Sequence, residues 1–299
     1  MKIMFLVFTA LVFSFFVRAQ LPHVSSGTIK RFKKFSSKNV DARNIDVWLP
    51  ENYDGKKAFA VLYMHDGQML FDSTTTWNKQ EWKVDETITT LLNEGKIKNT
   101  IVVGIWNNGK FRHSEYFPTK PLFYLNKDLS DSIINNELEG KTQADNYLKF
   151  IVEELKPFID STFRTLKNKE NTFIAGSSMG GLISMYAICS YPNVFGAAAC
   201  LSTHWIGSLK RNTSQIPQAF QQYLKNHLPS PKNHKIYFDY GTATLDSFYK
   251  PHQLIVDAIM RTKGFNKSNW MTKEFIGEDH SEKAWSKRLY IPLTFMLRK

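Results

Sequence analysis

Cysteine is nearly absent from this sequence, which has only two, Cys189 and Cys200, among 299 residues. Two cysteines cannot build a disulfide framework, and no cysteines and histidines have the close spacing of a zinc site. Both cysteines lie in apolar segments, where a free thiol packs as a small hydrophobic group, although a disulfide between them stays open. The sequence therefore predicts neither a metal nor an organic cofactor.

Segments that would divide the chain are also absent, because no Pro-, Gly- or Ser-rich linker, charge run or internal repeat interrupts it. A chain of this length fits a single α/β domain. Hydrophobic residues make up 42% of the sequence and aromatic residues 14%, which is enough for a buried core and excludes a disordered protein. We therefore expect one domain over residues 20–299.

Long apolar runs are absent except at the N-terminus. There Lys2 precedes an apolar run over residues 3–17, and Val17-Arg18-Ala19 has the small-residue pattern of a cleavage site. This pattern predicts a secretory signal peptide over residues 1–19 and a mature chain that starts at Gln20. A transmembrane anchor is the alternative, but a span needs about 20 apolar residues, more than this run supplies. We expect a secreted or periplasmic protein without stable membrane insertion after cleavage.

Acidic residues are too few to balance the basic ones, so the formal charge is +12. A strongly basic protein can attract anionic polysaccharides or membrane surfaces. The lysines are spread along the chain, however, rather than gathered in a stripe with interleaved aromatic residues. This distribution favours a solvated basic surface and argues against nucleic acid as a partner.

Short apolar runs, continuous rather than alternating, recur along the chain and are typical of parallel strands covered on both faces. Before them, residues 44–49 alternate in the manner of a half-buried edge strand. Segments with helical spacing separate the runs. This pattern predicts the α/β class, with a doubly wound, mostly parallel sheet, helices on both faces, and ligands bound beyond the carboxyl ends of the strands. We predict strands at 58–64, 101–106, 172–175, 197–201, 235–240 and 272–275, and helices at 82–93, 142–162, after Gly176, at 252–262 and at the C-terminus.

A nucleophile candidate stands between the strand at 172–175 and the next helix. The segment Gly176-Ser177-Ser178-Met179-Gly180 has the form G-x-S-x-G, and its two glycines let the backbone pass close to a sharp turn. Such a turn lifts the Ser178 side chain above the sheet, where the Met179 N–H can stabilise an oxyanion. Ser178 is therefore the predicted nucleophile. Ser177 is the alternative, but it lacks this frame of glycines.

The predicted base is His280, which follows the strand at 272–275 through a short loop. In serine hydrolases built on such a sheet, the triad occurs in the order Ser, Asp or Glu, His, so the base lies C-terminal to Ser178. His252 also lies downstream, but it falls in a predicted helix, where a surface role is the ordinary explanation. A helix-capping role is the alternative for His280 itself.

The acid must lie between these two residues in sequence. Asp246 follows the strand at 235–240 and is the predicted acid, because the loops after parallel strands meet at one edge of the sheet. Asp239, inside that strand, and Glu278 and Asp279, next to the predicted base, stay as alternatives.

A second oxyanion donor is expected in the loop after the first apolar strand, which carries His65-Asp66-Gly67-Gln68. Gly67 allows a tight turn, so the backbone N–H of Gln68 is the predicted donor beside that of Met179. For the side chains of His65 and Asp66, a structural role is favoured.

Together these segments resemble the esterase D-like family of α/β hydrolases, whose relatives include family 1 carbohydrate esterases, feruloyl esterases and enterochelin esterases. The resemblance covers about residues 40–295. It implies an α/β-hydrolase fold and hydrolysis of carboxylic esters without a cofactor. The sequence departs from the family at the predicted acid. The family often has Gly-x-x-Asp or Gly-x-x-Glu there, whereas the spacing from Gly241 to Asp246 is longer. The segments that carry the resemblance are Tyr63–Gln68, Arg112–Pro118, Gly176–Gly181, Gly241–Asp246 and Gly277–His280 with Trp285.

The predicted reaction is ester hydrolysis through an acyl-enzyme formed on Ser178. Secretion favours a small-molecule or polysaccharide ester as the partner, and carbohydrate-linked acetyl or feruloyl-type esters are the first expectation. Trp106, Trp205 and the aromatic residues of 117–124 are candidates for a sugar-binding platform, or else belong to the core. Siderophore esters, simple lipid esters and a catalytically silent binding protein are the alternatives.

Overall fold

The computed structural model describes residues 21–299, so the predicted signal peptide lies outside the described residues. Within them, eight strands form one sheet. The strands are β1 (Thr28–Phe35), β2 (Arg43–Leu49), β3 (Ala60–His65), β4 (Thr100–Ile105), β5 (Thr172–Ser177), β6 (Ala197–Leu201), β7 (Lys235–Gly241) and β8 (Trp270–Phe275).

The spatial order of the strands is β1-β2-β4-β3-β5-β6-β7-β8. Strand β2 is antiparallel to both of its neighbours, and every pair from β4 to β8 is parallel. The predicted mostly parallel sheet is therefore confirmed, and the ends of the predicted inner strands shift by at most about two residues, the usual uncertainty of such boundaries.

The α-helices of the described residues are α1 (Val84–Asn93), α2 (Arg112–Tyr116), α3 (Lys127–Glu137), α4 (Ala144–Lys149), α5 (Lys156–Thr162), α6 (Met179–Ser190), α7 (Gln215–His227), α8 (Lys250–Thr262), α9 (Glu282–Arg288) and α10 (Tyr290–Leu297). A π-helical segment, Phe150–Leu155, joins α4 to α5. The ring of Pro157 would clash with the carbonyl group of Glu153 in a regular α-helix, and the wider π turn relieves this clash.

Helices cover both faces of the sheet and enclose two hydrophobic cores. On one face α6, α7, α8 and the α4–α5 helix cover the sheet, and on the other face α1, α9 and α10 do so. Cys189 and Cys200 are free and buried, as expected of small hydrophobic residues. No helix between residues 21 and 299 is long and apolar enough to cross a bilayer.

Candidate active site

The predicted site residues meet at the carboxyl edge of the parallel strands. Gln68 follows β3, Ser178 follows β5, Asp246 follows β7 and His280 follows β8. A cavity of about 600 Å³ opens there, and Gln68, Ser178 and His280 all line it. The parallel topology thus gathers four loops that are far apart in sequence.

Ser178 sits in a sharp turn between β5 and α6. Its backbone has φ 57° and ψ −123°, a conformation that residues with a side chain rarely adopt. A β-carbon added to Gly176 would lie 2.8 Å from the carbonyl carbon of Gly180, so the turn requires glycine where its two arms cross. The Ser178 N–H donates to the Leu201 carbonyl oxygen at 2.9 Å, which anchors the turn to β6.

His280 and Asp246 form a hydrogen-bonded pair. Nδ1 of His280 lies 2.5 Å from Oδ1 of Asp246, a carboxylate that is fully buried. Because a carboxylate accepts, this contact places the proton of neutral His280 on Nδ1 and leaves Nε2 as the basic nitrogen. The backbone N–H of His280 also donates to Oγ1 of Thr244 at 3.0 Å, so the loop is held at a second point.

The second oxygen of Asp246 is held by two further donors. It accepts from Oγ of Ser202 at 2.5 Å and from the N–H of Gly241 at 2.6 Å. Ser202 in turn accepts from Nε1 of Trp285 and from Nη2 of Arg288, each at 2.9 Å. Sequence reasoning did not find Ser202, although its place directly after β6 is a signal for a site at this edge.

The long spacing between Gly241 and Asp246 has a local explanation. A short 3₁₀ turn, Thr244–Phe248, folds the chain back so that Asp246 reaches the Gly241 N–H. A β-carbon on Gly241 would lie 2.1 Å from the Glu278 carbonyl oxygen. Glycine at position 241 therefore lets the loop that carries Asp246 contact the loop that carries His280, although the spacing from Gly241 to Asp246 is longer than is usual in the family.

The alternative acids and the alternative base are engaged elsewhere. Asp239 pairs with Arg288 at 3.0 Å; burial raises the pKa of Asp239, and the guanidinium only partly offsets this. Glu278 pairs with Lys287 at 2.9 Å, and Asp279 accepts from Oγ of Ser281. His252 lies on α8 and lines a different cavity. Among residues 21–299, Asp246 is thus the carboxylate that bonds to the His280 ring.

The loop that carries Gln68 is fixed by Asp66. This residue has φ 55°, and its carboxylate forms a bidentate ion pair with Arg112 at 2.7 and 2.8 Å. Burial acts to raise the pKa of Asp66, but Arg112 and the amide of Asn107 outweigh it, so the net shift is downward. Within the described chain, the N–H groups of Gln68 and Met179 donate to no other residue. Both are therefore free to bind an oxyanion.

His65 supports the same loop from behind. Its Nδ1 lies 2.8 Å from the hydroxyl of Tyr147, and burial lowers its pKa to about 3, so the ring is neutral. A β-carbon on Gly180 would lie 3.4 Å from Cβ of His65, so this ring packs directly under the Ser178 turn. The position agrees with the structural role expected from sequence.

Two further residues beside Ser178 were not found from sequence. The Tyr249 hydroxyl lies 2.7 Å from Nδ1 of His204. The His204 N–H donates to the Ser178 carbonyl oxygen at 3.2 Å. Burial raises the pKa of Tyr249 well above its usual value and lowers that of His204 to about 3, so both are neutral. Neither residue belongs to a motif that could have revealed it.

The aromatic residues considered as a sugar-binding platform do not line the cavity of Ser178. Trp205 is only 1% exposed and Phe117 is buried, so both belong to the core. Trp106 donates from Nε1 to Asp46 and does not line the cavity. The structure therefore supports the core alternative for Trp205 and Phe117. The exposed aromatic residue in the cavity of Ser178 and His280 is Trp77, which is 84% exposed.

A second cavity, of about 410 Å³, also borders Ser178. Its lining includes Met179, His204 and Leu245, together with the charged or titratable residues Lys110, Arg112, His113, Glu137 and Lys210. Ser178 is thus shared by two cavities that differ in their lining. Residues 21–299 contain no group of three or more His, Cys, Asp or Glu side chains arranged to hold a metal ion.

Comparison with known proteins places the chain in a family. The model of the family described as "Putative esterase" matches residues 36–290, and the sheet order and the serine turn fit it. The chain belongs to this family and has the α/β-hydrolase fold. The resemblance stated from sequence is confirmed.

Individual relatives are distant. A protein called YjcH from Bacillus subtilis is 25% identical over 172 residues, which span 57% of this chain and 60% of that protein. An endo-1,4-beta-xylanase/feruloyl esterase from Xylanibacter ruminicola is 29% identical over 187 residues, 60% of this chain and 22% of that protein. The chain therefore spans less than two thirds of each of these relatives. An IroE-like serine hydrolase from Shewanella oneidensis shares the fold, with a TM-score of 0.66, 20% identity, and coverage of 90% of this chain and 80% of that one.

Proposed function

We propose that this protein is a secreted serine esterase that hydrolyses carbohydrate-linked acyl esters, of acetyl or feruloyl type, through an acyl-enzyme. The observation that carries the proposal is the pairing of Nδ1 of His280 with the buried Asp246 carboxylate, on the cavity that also holds Ser178. A strained serine turn, a histidine with a fixed tautomer and two free backbone N–H groups are the parts that acyl transfer requires.

In the proposed reaction, Nε2 of His280 takes the proton of Ser178 while the serine oxygen attacks the ester carbonyl. The N–H groups of Gln68 and Met179 bind the oxyanion, each contributing about 3 kcal/mol to transition-state stabilisation. Asp246 stabilises the imidazolium that forms. His280 then protonates the leaving alcohol and later activates a water molecule, which releases the acid and restores Ser178.

The two cavities give the substrate an orientation. Because His280 must protonate the leaving oxygen, the alcohol part occupies the cavity that His280 lines, and the acyl part extends toward the second cavity. Trp77 is exposed on the alcohol side, with the polar side chains of Asn78, Gln80 and Glu282 around it. An exposed indole beside amide and carboxylate groups suits the apolar face and the hydroxyl groups of a sugar ring.

A panel of acetyl, butyryl, feruloyl and long-chain esters, assayed on the purified protein, tests the activity. We expect hydrolysis of the short or feruloyl esters and loss of nearly all activity in Ser178→Ala, on the order of a millionfold. If Ser178→Ala kept a tenth of the rate of a pure wild-type sample, the serine mechanism would be wrong. Substrate binding without turnover in the wild type would indicate the silent binding protein instead.

The alcohol subsite is tested with Trp77→Ala and a matched control, Phe123→Ala. Phe123 is also an exposed aromatic residue, but it lines neither cavity. Loss of stacking should raise KM for an acylated xylo-oligosaccharide about tenfold. Neither variant should change KM for 4-nitrophenyl acetate, which has no sugar. If Trp77→Ala and Phe123→Ala changed KM for the oligosaccharide equally, Trp77 would not belong to the alcohol subsite.

The second candidate function is hydrolysis of a siderophore-type ester with an acidic acyl group. Lys110 and Lys210 on the second cavity favour it, because an anionic or catecholate acyl group would meet positive charge there. A catecholate trilactone in the same panel decides between the two. A much higher kcat/KM for the trilactone than for feruloyl esters would select this candidate.

Export is part of the proposal, with residues 1–19 as a cleaved signal peptide and residues 20–299 as one catalytic domain. Support comes from the apolar run over residues 3–17 and the small-residue pattern that follows it. Mass spectrometry of the exported protein should give an N-terminus at Gln20. An uncut chain in the membrane fraction would make the segment an anchor.

A further inference from the structure

Two adjoining depressions lie at the edge of the sheet opposite to Ser178, where the parallel strands begin. Their volumes are about 530 and 450 Å³, and they share Lys235, Ser268 and Arg298. Lys235 opens β7, and Lys98 precedes β4, which places both at the amino ends of strands. We call this surface the basic groove, because six cationic side chains line it: Lys96, Lys98, Lys232, Lys235, Lys267 and Arg298.

The positive charge of the basic groove is largely unneutralised within the described chain. Glu170 is the acidic residue of its lining, and at the rim Glu94 pairs with Lys96 at 2.8 Å. Lys98 and Lys235 donate mainly to uncharged oxygens, Lys98 to the Glu170 carbonyl and Lys235 to the Phe295 carbonyl, at 3.0 and 3.3 Å. A concave surface lined by one sign of charge concentrates the electrostatic field and attracts a ligand of the opposite sign.

The floor of the larger depression is apolar. Met271, Ile291 and Phe295 form it, and Tyr290, which is 53% exposed, stands beside them. Cations above an apolar floor suit a ligand that combines carboxylates with apolar ring faces. Sugar rings with uronate groups have this combination. A bilayer surface is too flat to enter depressions of this size, and a single exposed ring, Tyr290, offers little stacking for successive nucleic-acid bases.

We propose that the basic groove is a second binding site, which holds a uronate-bearing acidic polysaccharide. The inference rests on the proposed function, in which the ester is attached to polysaccharide. A polymer held at this edge keeps its acylated segments at high local concentration near the catalytic cavity. Binding at the groove is nevertheless independent of catalysis, so the two can fail separately.

The test compares binding to polygalacturonate with binding to its fully methyl-esterified form, by affinity electrophoresis and calorimetry. The groove variant is Lys96→Gln with Lys267→Gln and Arg298→Gln, three exposed positions. The control variant, Lys33→Gln with Lys127→Gln and Lys149→Gln, removes the same charge from exposed positions outside the groove. Hydrolysis of 4-nitrophenyl acetate by both variants reports that the fold and the catalytic site are intact.

We expect the wild type and the control variant to bind polygalacturonate, and the groove variant to bind about tenfold more weakly. The methyl-esterified polymer should not bind, and added salt should weaken binding. Equal losses in both variants would mean that net charge, not the groove, is responsible, and would overturn the proposal. Binding of single-stranded DNA or anionic vesicles in place of polygalacturonate would also overturn it. An inactive wild-type enzyme that still binds through the groove would instead contradict the proposed function.

Discussion

The hydroxyl of Tyr249 lies 2.7 Å from Nδ1 of His204, and the His204 N–H donates to the carbonyl oxygen of the proposed nucleophile, Ser178. The Tyr249 N–H also donates to the Asp246 carbonyl oxygen at 3.0 Å, so one short turn presents both the acid and the phenol to the site. Because both side chains are buried and neutral, the hydroxyl keeps its proton over the working pH range.

Tyr249→Phe should therefore lower kcat about tenfold with little change in KM, since it removes the hydrogen bond that holds His204, whose N–H in turn donates to the Ser178 carbonyl oxygen. Tyr223→Phe is the matched control, because it removes another buried hydroxyl, one that bonds with Ser190 away from the site. Steady-state kinetics on one activated ester checks both. A kcat within twofold of wild type for Tyr249→Phe would show that the hydroxyl only supports the fold.

His280→Ala should be as inactive as Ser178→Ala, whereas His252→Ala should keep most of the activity, because His252 faces a different cavity. Steady-state kinetics of both variants on one activated ester checks this. An inactive His252→Ala beside an active His280→Ala would show that His280 is not the base.

Asp246→Asn should lower kcat about 10⁴-fold, the scale known for this change in another serine hydrolase, because the amide no longer fixes the tautomer of His280. Glu278→Gln should be close to wild type, since its partner Lys287 is exposed. Asp239→Asn should reduce stability, because it removes the nearer of the two carboxylates that pair with the buried Arg288, yet keep the activity of the folded fraction. Near-normal turnover in Asp246→Asn would show that another carboxylate is the acid of the triad.

Stability should decline as the pH rises toward neutrality, and Glu86 on α1 is one cause. Burial and the neighbouring Asp85 raise the pKa of Glu86 from 4.5 to about 7, and its Oε2 has no hydrogen-bond partner. Between pH 4.5 and about pH 7, the folded state therefore holds a proton that the unfolded chain releases. The free energy of unfolding falls as the pH rises through this range, and above it Glu86 causes no further change.

Glu86→Gln should remove this decline, so that the variant is more stable than wild type at about pH 8 and similar at about pH 4.5. Urea unfolding at the two pH values measures the difference. Glu153→Gln, at a partly exposed carboxylate, is the control and should be unaffected. A constant difference between Glu86→Gln and wild type at both pH values would rule out the titration.

Sequence reasoning placed Gln68, Ser178, Asp246 and His280 at one edge of the sheet because each follows an apolar strand, and parallel strands bring such positions together. Ser202 obeys the same rule, but a serine at a strand end has no distinctive pattern and went unnoticed. Tyr249 and His204 meet only because the turn before α8 packs against the loop after β6, a contact that sequence spacing does not encode.

The basic groove shows the same limit on a larger scale. Its cations come from residues 96–98, 232–235, 267 and 298, so along the sequence they are indistinguishable from an even spread of lysines. The fold brings them together because the segments before β4 and β7 and the C-terminal residues meet at one edge of the sheet. Charge clustering of this kind depends on topology and not on local composition.

The strained turn at Ser178 has a thermodynamic consequence for the whole molecule. A non-glycine residue held at φ 57° and ψ −123° costs about 1–3 kcal/mol, a sizeable share of the 5–15 kcal/mol that ordinarily keeps a domain folded. Ser178→Gly should therefore melt at a higher temperature than the wild type while being inactive. Selection for hydrolysis would then hold this protein below the stability that its own fold could reach.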